Sequence, residues 1–344
     1  MRKKYFIAIF LVVFTMMLSS FAFYTYQILY TPNVLIEEED RYFAIPKGTT
    51  FKELQNMLSD QRIVNDLVSF SFLAKLKDLD TGVKNGMYLI KGDMTNVELI
   101  NLLRSGAQTP VKLTFSHARL LNQLPKILTY NLEIDSADLA PLLLHDTTAA
   151  YYGFNKETFI SMFLPNTYEV YWTMTPQGLL DRMKQEYDRF WSDERKRKAE
   201  QLGMSQVEVS TLASIVQGET NKMDEAPAIA GVYINRLERR IPLQADPTLV
   251  FAIGDFTIRR ILNKDKEFES PYNTYKYYGL PPGPINMPGI PALDAVLNFE
   301  DHKYLYFCAK ADFSGYHAFA RTLSEHNINA RRFQRALNQE RIYR

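Results

Sequence analysis

Residues 205–220, SQVEVSTLASIVQGET, carry the signals for both ends of one helix. Ser205 and Glu208 have the spacing of a capping box, in which each side chain satisfies a free backbone amide at a helix start. Apolar residues follow at roughly helical spacing, and Gly218 is a typical C-terminal stop signal. We therefore expect Glu219 at the end of this helix, where the helix dipole favours the protonated carboxyl group that a general acid needs. The alternative is an ordinary solvated carboxylate.

The N-terminal residues predict a membrane anchor. A basic tail, residues 1–4, precedes an apolar run, residues 5–23, that contains no charged residue and can span a bilayer. A cleaved signal peptide is the alternative, but the run is long for one and ends without a small-x-small cleavage site. The positive-inside rule places the tail in the cytoplasm. We expect a single-pass anchor over 5–25 in the cell inner (cytoplasmic) membrane, a linker over 26–40, and the later residues on the periplasmic side.

Composition excludes several classes of function. The formal net charge of +1 gives no electrostatic reason to expect nucleic acid as a partner. The single cysteine, Cys308, lies in a strand-like apolar run and is expected to be a buried small residue. The five histidines do not have the spacing of a metal site, so we predict neither a metal nor another cofactor.

Residues 41–107 predict a small βααβ domain. Strand-like residues at 42–45 and 86–90 enclose two stretches with helical apolar spacing. With Ile45-Pro46-x-Gly48 at its start and Gly86-x-Tyr88-x-Ile90 at its end, this region resembles a LysM-like module. The resemblance implies a domain that holds N-acetylated glycans; a simple spacer is an equally weighted alternative.

The rest of the chain predicts a connecting helical region over 108–160 and an α+β domain over 161–344, so the fold class as a whole is α+β. Rigid Pro/Gly-rich loops and a β-hairpin over 304–319 are expected in the second of these regions. Its tyrosine, asparagine and glutamine side chains suit a glycan, which aromatic faces and amide groups bind.

The number of available carboxylates bears on the reaction. A glycosidase normally uses two, and Asp246 is the one nearby partner for Glu219. Because Asp246 precedes Pro247, we expect it to cap a helix instead. A single acid/base suits lytic transglycosylation. Glu219 would protonate the glycosidic oxygen and then take the proton of the C6 hydroxyl that attacks C1, giving a 1,6-anhydro end.

The sequence resembles the YceG-like family of endolytic murein transglycosylases. The residues that carry the resemblance are Leu212-Ala213-Ser214-Ile215-Val216 with Glu219, Asn235-Arg236-Leu237, Leu243-Gln244-Ala245-Asp246-Pro247-Thr248, Tyr272-Asn273-Thr274-Tyr275, Gly279-Leu280-Pro281-Pro282-Gly283-Pro284-Ile285, Tyr304-Leu305-Tyr306-Phe307 and His317-x-Phe319. Two segments depart from it: Gln217 stands where the family often has an acid, and 115–118 lacks the usual Pro-Glu-Gly.

The resemblance implies a membrane-anchored enzyme that cuts the MurNAc–GlcNAc β-1,4 bond inside nascent peptidoglycan strands and ends their elongation near the synthases. Glu219 is the expected catalytic residue. The candidate substrate-binding residues are Gln217, Asn235, Gln244, Asp246, Thr248, Tyr272, Asn273, Thr274, Tyr275, Pro282 and His317. Two alternatives remain open: a two-carboxylate muramidase that uses Asp246, and a noncatalytic glycan-binding scaffold for cell-wall synthases.

Overall fold

A computed structural model of the protein describes residues 2–36, 40–258 and 260–340. The helices are α1 Arg2–Tyr30, α2 Phe51–Asp60, α3 Leu67–Leu76, α4 Asn96–Ser105, α5 Leu124–Thr129, α6 Ser136–Leu144, α7 Asp146–Tyr151, α8 Pro176–Phe190, α9 Asp193–Gln201, α10 Gln206–Glu219, α11 Ala226–Glu238, α12 Asp246–Ile253, α13 Ile290–Leu297 and α14 Leu323–Gln339. The strands are β1 Asp40–Ile45, β2 Gly86–Lys91, β3 Val111–Phe115, β4 Asn166–Val170, β5 Tyr306–Ala309 and β6 His317–Ala320.

The protein is a mixed α+β chain whose described strands form three two-stranded sheets, β1–β2, β3–β4 and β5–β6. It divides into two compact units. The first comprises residues 1–113, 131–134 and 168–174, and the second comprises 114–130, 135–167 and 175–344. The region predicted as a connection, 108–160, is therefore divided between the two units.

The N-terminal helix α1 is long and apolar enough over Lys3–Tyr30 to cross a membrane, and the mean hydropathy of its most apolar 18-residue stretch is 2.5. Most of its side chains are exposed. The predicted linker begins inside this helix, because α1 continues to Tyr30 and Ile28 joins the core of the first unit.

The first unit has the predicted order of strand, helix, helix and strand. β1 and β2 pair antiparallel, from Asp40 opposite Lys91 to Ile45 opposite Gly86. Capping boxes start α2 and α4, and the carboxylate of Asp66 caps α3. The apolar faces of these elements meet in a common core, so the periodicity of the sequence was a sufficient guide to this part of the fold.

Helix α10 lies at the centre of the second unit, where it packs against α11, α12 and α13. All its residues from Val209 to Val216 are buried, as expected for a helix surrounded by others. Ser214 is buried, but its hydroxyl keeps two hydrogen bonds: it donates to the carbonyl of Thr211 (2.7 Å) and accepts from the amide of Ile285 (2.9 Å). The predicted capping box of Ser205 and Glu208 is confirmed at the start of the helix.

Gly218 does not act as the predicted stop signal. α10 continues through it to Glu219, and the following residue, Thr220, has an extended backbone. A Cβ atom at Gly218 would lie 2.8 Å from the Cβ of Pro247, in the first turn of α12. The glycine therefore lets the start of α12 approach the end of α10, and this approach places Asp246 near Glu219.

The predicted hairpin is confirmed as β5 and β6, paired antiparallel from Tyr306 opposite Ala320 to Ala309 opposite His317. Helix α14 follows, with the capping box of Thr322 and Glu325. Strand β5 contacts α11, and α14 packs against both strands of the hairpin.

Candidate active site

Glu219 and Asp246 line two cavities in the second unit. The first, here called the loop cavity, has a volume of about 570 Å³ and includes His117, Arg119 and Gln217 in its wall. The second, the hairpin cavity, has a volume of about 390 Å³; its other lining residues include Tyr233, Arg236, Gln244, Tyr275 and Tyr306. Both carboxylates are therefore accessible from both cavities.

The carboxyl group of Glu219 is held by a buried tyrosine. The hydroxyl of Tyr233, whose side chain is 2% exposed, donates to Oε1 of Glu219 at 2.6 Å. Glu219 is partly exposed where it lines the cavities, and protein atoms surround it otherwise. This desolvation raises its pKa to about 7; the Tyr233 hydrogen bond opposes the rise, and the charge of Asp246 adds to it. A large fraction of Glu219 is thus protonated at neutral pH.

Asp246 does not cap a helix, and this prediction was wrong. Among the described residues, α12 has Ala245 at its N-cap and no side-chain hydrogen bond there. The exposed carboxylate of Asp246 instead accepts a hydrogen bond from the hydroxyl of Tyr275. Burial and the neighbouring Asp246 raise the pKa of Tyr275, so it stays a donor. Each of the two carboxylates thus has its own tyrosine hydroxyl.

A buried cation, Arg236, completes the site and was absent from the residues predicted for it. Its guanidinium donates to the carbonyls of Leu305 (2.7 Å) and Leu243 (2.8 Å), and burial lowers its pKa. Its positive charge opposes the rise in the pKa of Glu219. The signal that could have identified Arg236 and Tyr233 is their spacing of three residues on α11, which puts them on one helix face.

Gln217 fixes a loop rather than offering a second acid. Its amide nitrogen donates to Oδ1 of Asn286 (3.0 Å) and to the carbonyl of Met287 (3.3 Å), while its oxygen accepts from the amide of Gly289 (2.7 Å). An ionised carboxylate at this position could not donate the first two bonds. The substitution relative to the family pattern therefore fits the loop it holds.

The segment 115–118, where the sequence departs from the family pattern, contributes to the loop cavity together with the next residue, Arg119. The amide of Met287 donates to the carbonyl of Ala118 (2.8 Å), which fixes this segment beside the loop held by Gln217. Arg119 stacks over the ring of Phe256 at 4.7 Å. These cavity residues were not predicted, because nothing in the sequence of the segment marks it as part of a site.

Several of the predicted binding residues have their polar groups in internal hydrogen bonds. The buried hydroxyls of Thr248 and Thr274 bond to each other (2.8 Å), and Asn273 donates to the carbonyls of Lys266 and Phe268. These bonds fix the loop that carries Tyr275.

Asn235 and Gln244 have different settings. Asn235 donates to the carbonyls of His302 (2.7 Å) and Tyr304 (3.0 Å), which ties α11 to the segment before β5. Gln244 is exposed, has a positive φ of 50°, and lines the hairpin cavity.

Three predicted binding residues line other cavities. Tyr272 packs its ring against Phe251, a residue of the loop cavity, at 4.8 Å, and itself lines an adjacent cavity. Pro282 lines a cavity beside α9, and His317 lines one beside β6, where its Nδ1 bonds to Oε1 of Glu225 at 2.7 Å. In the part of the chain that the structure describes, Pro282 and His317 line neither the loop cavity nor the hairpin cavity.

Comparison with known proteins gives relatives of one kind. A protein of Bacillus subtilis (strain 168) is 28% identical over 82% of this chain and 82% of its own length, and is named endolytic murein transglycosylase. A protein of Streptococcus pneumoniae serotype 2 with the same name is 27% identical over 95% of this chain, which spans 64% of that relative's length.

The fold comparison agrees. The crystal structure of a YceG-like protein from Listeria monocytogenes has a TM-score of 0.57 and 27% identity, and the match covers 84% of this chain and 98% of the other. Residues 43–332 match the sequence model of the YceG-like family, which is most of the chain. The protein, in which each of the two carboxylates is hydrogen-bonded to its own tyrosine, belongs to the YceG-like family.

Proposed function

We propose that the protein is an endolytic murein transglycosylase, which cuts the MurNAc–GlcNAc β-1,4 bond inside peptidoglycan strands and leaves 1,6-anhydroMurNAc ends. The observation that carries this proposal is Glu219, whose carboxyl group has a pKa of about 7 and lines two cavities. An acid with this pKa can donate a proton at neutral pH and accept one afterwards. The names of the relatives support the same reaction.

The geometry gives each carboxyl oxygen of Glu219 its own role. Oε1 accepts the Tyr233 hydrogen bond, which leaves Oε2 to carry the acidic proton. That proton passes to the glycosidic oxygen as the bond from C1 to this oxygen breaks. The C6 hydroxyl of the same muramyl sugar then attacks C1 and returns its proton to the carboxylate. The proton is recovered within one turnover, and no water is consumed.

Asp246 has a supporting role in this proposal. Positive charge develops at C1 of the sugar as the glycosidic bond breaks. The carboxylate of Asp246 is exposed to the cavities and close enough to Glu219 to influence the pKa of Glu219. The negative charge of Asp246 therefore stabilises the positive charge that develops at C1. The candidate binding residues that line the cavities, Gln217, Gln244, Asp246 and Tyr275, remain proposals for substrate contact.

Cutting within a strand requires space on both sides of the broken bond. The loop cavity and the hairpin cavity supply it, because both reach the two carboxylates. Both cavities have polar walls and together have room for several sugar rings. We assign one to the sugars on each side of the bond.

The first unit and α1 give the enzyme its location in this proposal. α1 anchors the chain in the cytoplasmic membrane, with the remainder on the periplasmic side, next to nascent strands and the synthases that make them. The βααβ arrangement of the first unit supports the LysM-like assignment, in which this unit binds or spaces the glycan.

A two-carboxylate muramidase is the second candidate function, and the exposed Asp246 favours it. Product mass spectrometry separates the two, because a transglycosylase gives anhydro ends and a muramidase gives reducing ends. We expect anhydro ends from the full-length protein on purified peptidoglycan and their loss in Glu219→Gln. Glu238→Gln, an exposed carboxylate on α11, is the matched control and should behave like the parent. Reducing ends would refute the proposal, equal cutting by Glu219→Gln would refute the role of Glu219, and no cutting by either protein would favour the noncatalytic scaffold.

A further inference from the structure

Helix α3 of the first unit carries an apolar stripe on its surface. Val68, Phe72 and Leu76 are 75%, 57% and 64% exposed. Their spacing of four residues aligns them along one side of the helix. The opposite side of α3 already supplies Phe70 and Ala74 to the core. The stripe is therefore additional apolar surface that the fold of this unit does not use.

The stripe lies beside the end of the apolar helix α1. Asn96 donates both to the carbonyl of Ile28 in α1 (3.2 Å) and to the hydroxyl of Ser69 in α3 (3.1 Å). Ser69, Phe72 and Leu76 are three and four residues apart, so they share a helix face. The face of α3 that meets α1 thus continues directly into the stripe.

The end of α1 packs against the rest of the first unit. Ile28 is buried in the core of the unit, and Asn33 donates to Oδ1 of Asn96 at 2.7 Å. The main chain of Pro32 also bridges to that of Thr95. These contacts fix the unit to the end of the helix without a free linker among the described residues.

The length of α1 sets the depth of this connection. A bilayer core of ~30 Å takes about 20 helical residues, so a span that begins at Tyr5 leaves the hydrocarbon near Tyr24. Ile28 is one helical turn further, ~6 Å beyond that edge, which is the thickness of the headgroup layer. The residues that pack against Ile28 therefore lie at the membrane surface.

We infer that Val68, Phe72 and Leu76 insert into the headgroup–acyl boundary of the membrane that α1 crosses. The first unit is then held on the bilayer by two contacts, the span and the stripe, which fixes its tilt as well as its position. The occupant of the stripe is lipid, because the stripe adjoins the span at headgroup depth. This inference rests on the proposed anchoring of α1.

The test uses the full-length protein, with Cys308 replaced by serine, in phosphatidylcholine vesicles. An environment-sensitive nitrobenzoxadiazole dye is attached to a single new cysteine in Phe72→Cys. Asn56→Cys is the matched control, because Asn56 is an exposed polar residue on α2 of the same unit. Phe14→Cys, in the middle of α1, reports separately on the anchor.

We expect the dye at position 72 to have blue-shifted emission, quenching by a spin label near the lipid headgroup, and several-fold less quenching by aqueous iodide than the dye at position 56. Equal iodide quenching at both positions would overturn the inference. Protection that appears only at a high protein-to-lipid ratio would do the same, because a second copy would then cover the stripe. If position 14 is also quenched by iodide, the proposed anchoring by α1 is wrong. If position 14 is protected and position 72 is not, only the inference about the stripe is wrong.

Discussion

Replacing Glu219 with glutamine is expected to stabilise the second unit at alkaline pH. The folded protein raises the pKa of this carboxyl group from 4.5 to about 7, chiefly by desolvation. Between these two values the folded state binds more protons than the unfolded state, so the free energy of unfolding falls as pH rises. Glutamine has no charge to desolvate, and its oxygen can still accept the hydrogen bond from Tyr233.

The size of the effect follows from the two pKa values. At about 1.4 kcal/mol per pH unit, ionising Glu219 destabilises the folded protein by about 3 kcal/mol once the pH is above both values. About 2–3 kcal/mol of this falls between pH 5 and pH 9. The stability of Glu219→Gln minus that of the parent should therefore grow by this amount across the range, whatever constant offset the substitution adds.

The measurement is urea unfolding of the full chain in detergent, followed by tryptophan fluorescence. Trp191 is buried in the second unit and Trp172 belongs to the first, so a Trp172→Phe background reports on the second unit alone. Glu238→Gln is the control, and its difference from the parent should stay constant with pH. If the difference for Glu219→Gln is equally constant, the carboxyl group is not desolvated and the reasoning fails.

Three other substitutions test the site. Tyr233→Phe removes the hydrogen bond that holds down the pKa of Glu219, so the alkaline limit of the activity profile should move up by about one pH unit. Asp246→Asn removes a neighbouring negative charge, so that limit should move down while anhydro products persist; loss of activity at every pH would support the muramidase. Gly218→Ala adds a Cβ that separates α12 from α10, and thermal unfolding should show a loss of about 1–3 kcal/mol, unlike Gly82→Ala, where a Cβ meets open space.

The elements that local signals specify were predictable. The capping box of Ser205 and Glu208 marks the start of α10. In the first unit, the spacing of apolar residues predicts the strands and helices. Such signals depend on residues only a few positions apart, and the surrounding structure agrees with them.

The errors arose where a distant contact outweighed a local preference. Asp246 has the sequence context of a helix cap, but the hydroxyl of Tyr275 binds it instead. Gly218 has the sequence context of a helix stop signal, but in the structure its missing side chain leaves room for Pro247. Tyr233 reads as an ordinary core residue, because the sequence does not reveal that its hydroxyl meets Glu219. Contacts between segments far apart in sequence decide all of these cases.

Access to Glu219 from two cavities has a consequence for how strands of different length are treated. Both cavities are open to solvent, so the enzyme can take hold of a strand at any internal bond and does not require a free end. The chance that a strand is cut then rises with its number of bonds. Long strands are therefore cut more often than short ones, and the mean strand length falls without any device in the protein that measures length.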